Sequence, residues 1–221
     1  MTIHVNNIDI YYEKAGQGPP LLLLHGNGES HRIFRKAIGR LSEKFTVYAI
    51  DSRGHGKNGR VKELHYADMA EDMARFIEAL GLERPMLYGF SDGGIIGLMA
   101  ASEHPGLLSR LAVSGANITP EGLKAGTLRL MRIMYRLTRG AKWKLMLDEP
   151  DITGEQLGRI DMPTLVLAGE KDIIKEEHTR MIAGAIPGAR LRILPGEGHG
   201  SYVDNNMKLC DIITPFFEEG I

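Results

Sequence analysis

Short apolar runs that end at glycine-rich turns, alternating with segments of helical spacing, constrain this chain more than any other feature. Pro19 to Leu24, Thr46 to Ile50, Met86 to Phe90, Leu108 to Gly115, Thr164 to Gly169 and Ala189 to Gly196 each read as a strand. Ahead of them, runs at Ile3 and Ile8 alternate with period 2 and read as half-buried strands. Helices fill the gaps. Met69, Met73, Phe76, Ile77 and Leu80 fall at helical spacing with Gly81 placed as a stop. Gly93 to Pro105 and Val203 to Phe217 read the same way, with Pro215 expected to kink or shorten the last helix. Alternation of this kind specifies an α/β fold: a mostly parallel central sheet with helices on both faces. Asn117 to Ile160 interrupts it. The sequence therefore divides into one core, residues 1–116 and 161–221, and a helical insertion, residues 117–160, after the sixth strand.

A chain of 221 residues with 43% apolar content can bury a full core without staples, which excludes disordered and fibrous architectures. Lys and Arg number 27 against 28 Asp and Glu, so the net charge of −1 supplies no global field toward nucleic acid or an acidic membrane. Cys210 is the single cysteine and can form neither an internal disulfide nor a thiolate metal cluster. The opening Met1 to Asn7 lacks the regions of a signal peptide, and no apolar run reaches the ~18 residues of a membrane span. The expectation is a soluble, cytoplasmic monomer or homodimer with no metal or cofactor and no nucleic-acid or membrane partner.

Chemistry concentrates at Gly89-Phe90-Ser91-Asp92-Gly93-Gly94, where a strand gives way to a helix. G-x-S-x-G in that context is a nucleophile elbow, a strained turn that lifts the serine oxygen above the sheet. A serine hydroxyl needs a base within hydrogen-bond reach and a carboxylate to orient that base, and the elbow implies the chain order Ser, acid, His. Asp172, after the strand ending at Gly169, and His199, after the strand ending at Gly196, meet that order. Both follow strand ends, where open parallel sheets place their ligand-binding groups. Glu170 is the rival acid; His4, His65, His104 and His178 lack a motif around them. The oxyanion donors read as the backbone N–H groups of Asn27, in His25-Gly26-Asn27-Gly28, and of Asp92. His25 reads as a brace for its loop. Asp51 to Gly56 reads as a structural loop with Arg53 paired to a carboxylate, since no third ligand joins Asp51 and His55. From Gly122 to Leu147 seven basic residues occur without an acid, and the row Arg129, Arg132, Arg136, Arg139 reads either as a solvated helix face or as an anion-attracting rim.

Taken together and in order, HGNG, DSRGHG, GFSDGG, GEKD and GEGH resemble the α/β-hydrolase superfamily over nearly the whole chain. The resemblance implies that residues 117–160 are a short cap over the active site. A serine at position 91 disfavours the dehalogenase and epoxide hydrolase branches, which carry a carboxylate there. SDGG at the elbow and PGEGH near the end are similar to the valacyclovir hydrolase, or biphenyl hydrolase-like, group. In that group the acid after the nucleophile grips the α-amino group of an aminoacyl ester, and Asp92 matches it; it is equally an acid in the first turn of a helix, where negative charge is favoured. Met131, Met134, Tyr135, Trp143 and Met146 either line the pocket or pack the cap internally. The expected activity is hydrolysis of small carboxylic esters through an acyl-enzyme on Ser91. Carbon–carbon hydrolysis, lyase or perhydrolase chemistry on the same triad stays open, as does a ligand-binding protein on a hydrolase scaffold.

Overall fold

The two alternating runs at the N-terminus form β1 (Thr2–Val5) and β2 (Ile8–Ala15), an antiparallel pair turned by Asn6 and Asn7. Both asparagines have positive φ, the conformation a two-residue hairpin turn demands and asparagine tolerates. β3 (Pro20–Leu24), β4 (Thr46–Ile50), β5 (Met86–Phe90), β6 (Arg110–Ser114), β7 (Thr164–Lys171) and β8 (Arg190–Gly198) are parallel to one another. The eight strands lie in the order β1-β2-β4-β3-β5-β6-β7-β8, with β2 antiparallel to β4. This computed structural model describes residues 1–219; Gly220 and Ile221, the end of the expected core segment, lie outside the described residues.

The helices are α1 (Arg35–Leu41), α2 (Tyr66–Ala79), α3 (Asp92–Glu103), α4 (Ala125–Thr138), α5 (Ala141–Asp148), α6 (Gly154–Gly158), α7 (Glu176–Ala185) and α8 (Lys208–Glu218). Successive strand residues face opposite sides of a sheet. β3 shows it: Leu22 and Leu24 join the core under α2, α3 and α7, whereas Leu21 and Leu23 join the core under α1 and α8. A run of four leucines is thus accounted for by two hydrophobic layers. α8 starts later than its spacing suggests, at Lys208, and continues through Pro215 to Glu218. Phe216 and Phe217, both buried beyond the proline, hold the last turn against the sheet, so the lost backbone hydrogen bond does not end the helix.

The inserted segment divides its packing between the core and a smaller cluster. Leu145 of α5 joins Ile152, Leu157 and Ile160 in the main core, where α6 packs on α3 and α7. Residues 150–160 thus pack with the core, whereas Leu123 and Met131 belong to a separate small cluster. Helical composition alone does not say which surface a helix covers. The neck of the insertion is closed by the Ile152 N–H donating to the Ile118 carbonyl at 2.9 Å. His178 Nε2, buried on α7, accepts from the Ile118 N–H at 3.0 Å. Six large apolar side chains are exposed among the described residues, and three of them, Leu130, Ile133 and Leu137, lie on α4. No helix among the described residues is long and apolar enough to cross a membrane.

Candidate active site

β5 delivers Ser91 at the top of the sheet with φ 52° and ψ −117°, a conformation that costs about 1–3 kcal/mol. The surrounding backbone enforces it. The Ser91 N–H donates to the Ser114 carbonyl of β6 at 2.8 Å, and the Ser91 carbonyl accepts from Gly94 and Ile95 of α3. The flanking glycines are steric requirements: a Cβ on Gly89 would lie 2.2 Å from the Gly93 carbonyl oxygen, and one on Gly93 would lie 2.3 Å from the Leu24 carbonyl oxygen. α3 can approach the sheet this closely only without side chains at those positions.

The ends of β7 and β8 bring the base and acid to the same place. His199 Nε2 lies 3.1 Å from Ser91 Oγ, and His199 Nδ1 lies 2.6 Å from Asp172 Oδ1. Asp172 is buried and also accepts from the Ile174 N–H at 3.0 Å and the Gly169 N–H at 3.3 Å. Burial raises its carboxyl, but the His199 hydrogen bond and charge, with the two backbone donors, outweigh that and hold it below the usual carboxylate value. An ionised Asp172 fixes the tautomer: Nδ1–H donates to the carboxylate, leaving the Nε2 lone pair to accept from the serine hydroxyl. The imidazole is held on two further sides. Its ring lies 4.9 Å from the Phe90 ring, and a Cβ on Gly115 would sit 2.7 Å from its Cε1.

Asn27 and the N-terminus of α3 face each other across Ser91. The Asn27 side chain donates to Asp92 Oδ2 at 2.8 Å and to the Lys142 carbonyl of α5 at 3.4 Å, tying loop, elbow and cap together. The Asp92 N–H is the first of a helix and so is left free by the helical ladder. Glu29 closes the same loop, its Oε2 accepting from the Gly26 N–H at 2.9 Å. These groups border a cavity of about 330 Å³, roofed by Met131, Trp143 and Met146 of the cap. Asp92 is 6% exposed, and burial pushes its carboxyl up to about 6 against the Asn27 hydrogen bond and the His199 and Lys142 charges. Burial likewise raises Glu29 and lowers the Lys142 ammonium. The buried Tyr66 hydroxyl lies beside Asp92 but is not aligned for a regular hydrogen bond.

Ser91, His199, Asn27, Asp92, Met131 and Trp143 border the cavity, with Asp172 buried behind His199. Met134 and Tyr135 do not line the cavity. Both are half-buried further along α4, Tyr135 beneath the Arg139 guanidinium at 5.4 Å. One helical turn advances about 5 Å and carries them past the site, which spacing cannot reveal. Glu29, Lys142 and Glu149 border the cavity without having been singled out. Glu29 sits two residues from Asn27 and was within reach of the HGNG motif; Lys142 and Glu149 had no local signal. The remaining candidates settle into structural roles. Glu170 turns away to accept from the Gly196 N–H at 2.7 Å. His25 braces its loop, with Nδ1 on the Gly26 carbonyl and Nε2 accepting from Ser52, and burial lowers it to about 4. Arg53 pairs with Asp72 through Nε at 2.8 Å and a second nitrogen at 2.6 Å.

Residues 19–145 match the family model described as the alpha/beta hydrolase fold, and the chain belongs to that family of hydrolases. It is 27% identical to the serine hydrolase BPHL of Homo sapiens over 235 residues, spanning 91% of this chain and 80% of that protein. A putative carbamate hydrolase, RutD of Azorhizobium caulinodans, is 28% identical over 213 residues, covering 96% of this chain and 76% of its own length. Among solved structures, an esterase from Exiguobacterium antarcticum superposes with a TM-score of 0.85 at 22% identity, covering 97% of each chain. A meta-cleavage product hydrolase from Pseudomonas fluorescens gives 0.82 at 18% identity, covering 100% of this chain and 98% of that one.

Proposed function

We propose that this protein is a serine hydrolase that cleaves small carboxylic esters through an acyl-enzyme on Ser91. The observation that carries this reading is the continuous relay from Ser91 Oγ through His199, at 3.1 Å and 2.6 Å, to a buried Asp172. As Ser91 Oγ attacks the acyl carbonyl, His199 Nε2 takes the hydroxyl proton, and Asp172 stabilises the imidazolium so formed. The Asn27 and Asp92 N–H groups receive the developing oxyanion. His199 then returns the proton to the leaving alkoxide, and a water activated by the same nitrogen hydrolyses the acyl-enzyme. A cavity of about 330 Å³ suits a small acyl group.

Asp92 extends the reading to aminoacyl esters. Its carboxyl borders the cavity one residue from the nucleophile, where it would hold an α-amino group. The neighbouring Lys142 opposes this, so preference for an aminoacyl over an acetyl ester is the measurement that decides it. The primary test uses a fluorophosphonate probe, peptide mass spectrometry and a panel of p-nitrophenyl and aminoacyl esters. The expected outcome is an adduct on Ser91 and ester turnover that falls by about 10⁴-fold or more in Ser91→Ala with the fold intact. Turnover undiminished in that variant would remove Ser91 from the chemistry. Product analysis on diketone substrates separates ester from carbon–carbon cleavage.

A further inference from the structure

α4 turns Met131 toward the cavity and its opposite side to solvent. There Leu130, Ile133 and Leu137 are 57%, 44% and 74% exposed. Spaced by three and four residues, they form a single row along the helix. Arg129, Arg132 and Arg136, each one position earlier, form a second exposed row beside it. None of the three makes an ion pair with another described residue. From Gly122 to Leu147 the chain carries a charge of +7, which leaves −8 for everything else. Scattered exposed leucines are ordinary on a soluble protein. Half of the exposed large apolar side chains among the described residues gathered in one row, alongside a cationic row, is a different observation.

We propose that α4 is a docking helix for an anionic lipid surface. Leu130, Ile133 and Leu137 enter the boundary between headgroups and acyl chains, while the arginine row lies at the level of the phosphates, its stems along the apolar edge. Two straight adjacent rows on one exposed helix match a planar interface. A second copy of the chain is a poor occupant, because a two-fold contact through this face would set the arginine row against its own copy. The net charge of −1 conceals the site: at physiological salt, charges beyond about 8 Å are screened, so the +7 segment acts locally. Docking through α4 seats the substrate cavity directly beneath the lipid surface, with only this helix between them.

The test is co-sedimentation of the full chain with vesicles of phosphatidylcholine alone and with about 30% phosphatidylglycerol, at ~0.05 M and ~0.5 M salt. The expected result is at least roughly tenfold stronger binding to the anionic vesicles, lost at the higher salt. Arg129→Glu, Arg132→Glu and Arg136→Glu combined should weaken it by about 100-fold or more. Leu130→Ser, Ile133→Ser and Leu137→Ser combined should weaken it at least about tenfold. Turnover of a small soluble ester stays at the wild-type level in both variants, which verifies their fold. Equal binding to the two vesicle types, or undiminished binding by both variants, overturns the proposal. So does a dimer that the variants dissociate, or binding to polyglutamate without binding to vesicles.

Discussion

At the scale of single residues, Asp92 stands in two roles that conflict. Its backbone N–H is the proposed oxyanion donor, while its carboxyl is buried at a net cost. The folded-state value of about 6 lies above the unfolded 3.8, so the native state is the stronger proton binder. The sign follows: the penalty is absent below pH ~4, grows as pH rises through the interval, and is complete above pH ~6 at about 3 kcal/mol. Asp92→Asn should accordingly be more stable than wild type by about 2–3 kcal/mol at pH 8 and equal to it at pH 4, read from urea unfolding. Any aminoacyl preference should disappear in the same variant and, in wild type, fade below pH ~6. A pH-independent stability difference would mean that Asp92 is solvated. The proposed nucleophile, acid and base could be picked out in the sequence because each follows a strand end inside a short motif. Phe90, a variable position of the elbow motif that packs on the His199 ring, and Gly115, which makes room for it, carry no mark of those roles. Their roles arise only once β5, β6 and β8 are brought into one sheet.

Among elements, Glu149 at the end of α5 is hydrogen-bonded to the start of α2. Glu149 accepts from the Tyr66 N–H at 3.0 Å through Oε2 and pairs with His65 Nδ1 at 2.6 Å through Oε1. A carboxylate on the first-turn N–H of α2 is also where the helix dipole favours negative charge. Glu149→Ala is expected to lower stability by about 1 kcal/mol. Hydrogen exchange should speed up in α5 and the first turn of α2 and stay unchanged in α3. Uniform acceleration would show that the contact stabilises the whole fold rather than this joint. The eight strands and their mostly parallel pairing were readable from run length and turn chemistry. The fate of α6 was not, because Leu157 is an apolar residue in a short helix whether it covers the cavity or the core. Long-range packing, not local pattern, assigns it.

On the whole-molecule scale, the proposed acid, base and nucleophile all follow strands of the sheet, whereas Met131, Trp143 and Met146 of the insertion wall the cavity. The neck contact between Ile118 and Ile152 closes the base of the insertion, whose Gly122 and Lys124 also pair with Lys175 and Ile173 of the core. Replacing residues 119–149 by a short Gly-Ser linker should leave a folded core that still takes the fluorophosphonate label at Ser91. Its ester kcat/KM should fall at least about tenfold, mainly through KM, as the wall of Met131, Trp143 and Met146 is removed. Failure to label would mean that the cap, through the Lys142 carbonyl on Asn27, is needed to shape the elbow. The division of charge has a practical counterpart. A body of −8 under a cap segment of +7 makes a near-neutral chain a strong electric dipole. In dilute buffer near neutral pH such a molecule adheres to either sign of ion exchanger, presenting opposite ends to each, and its elution position reports orientation rather than net charge.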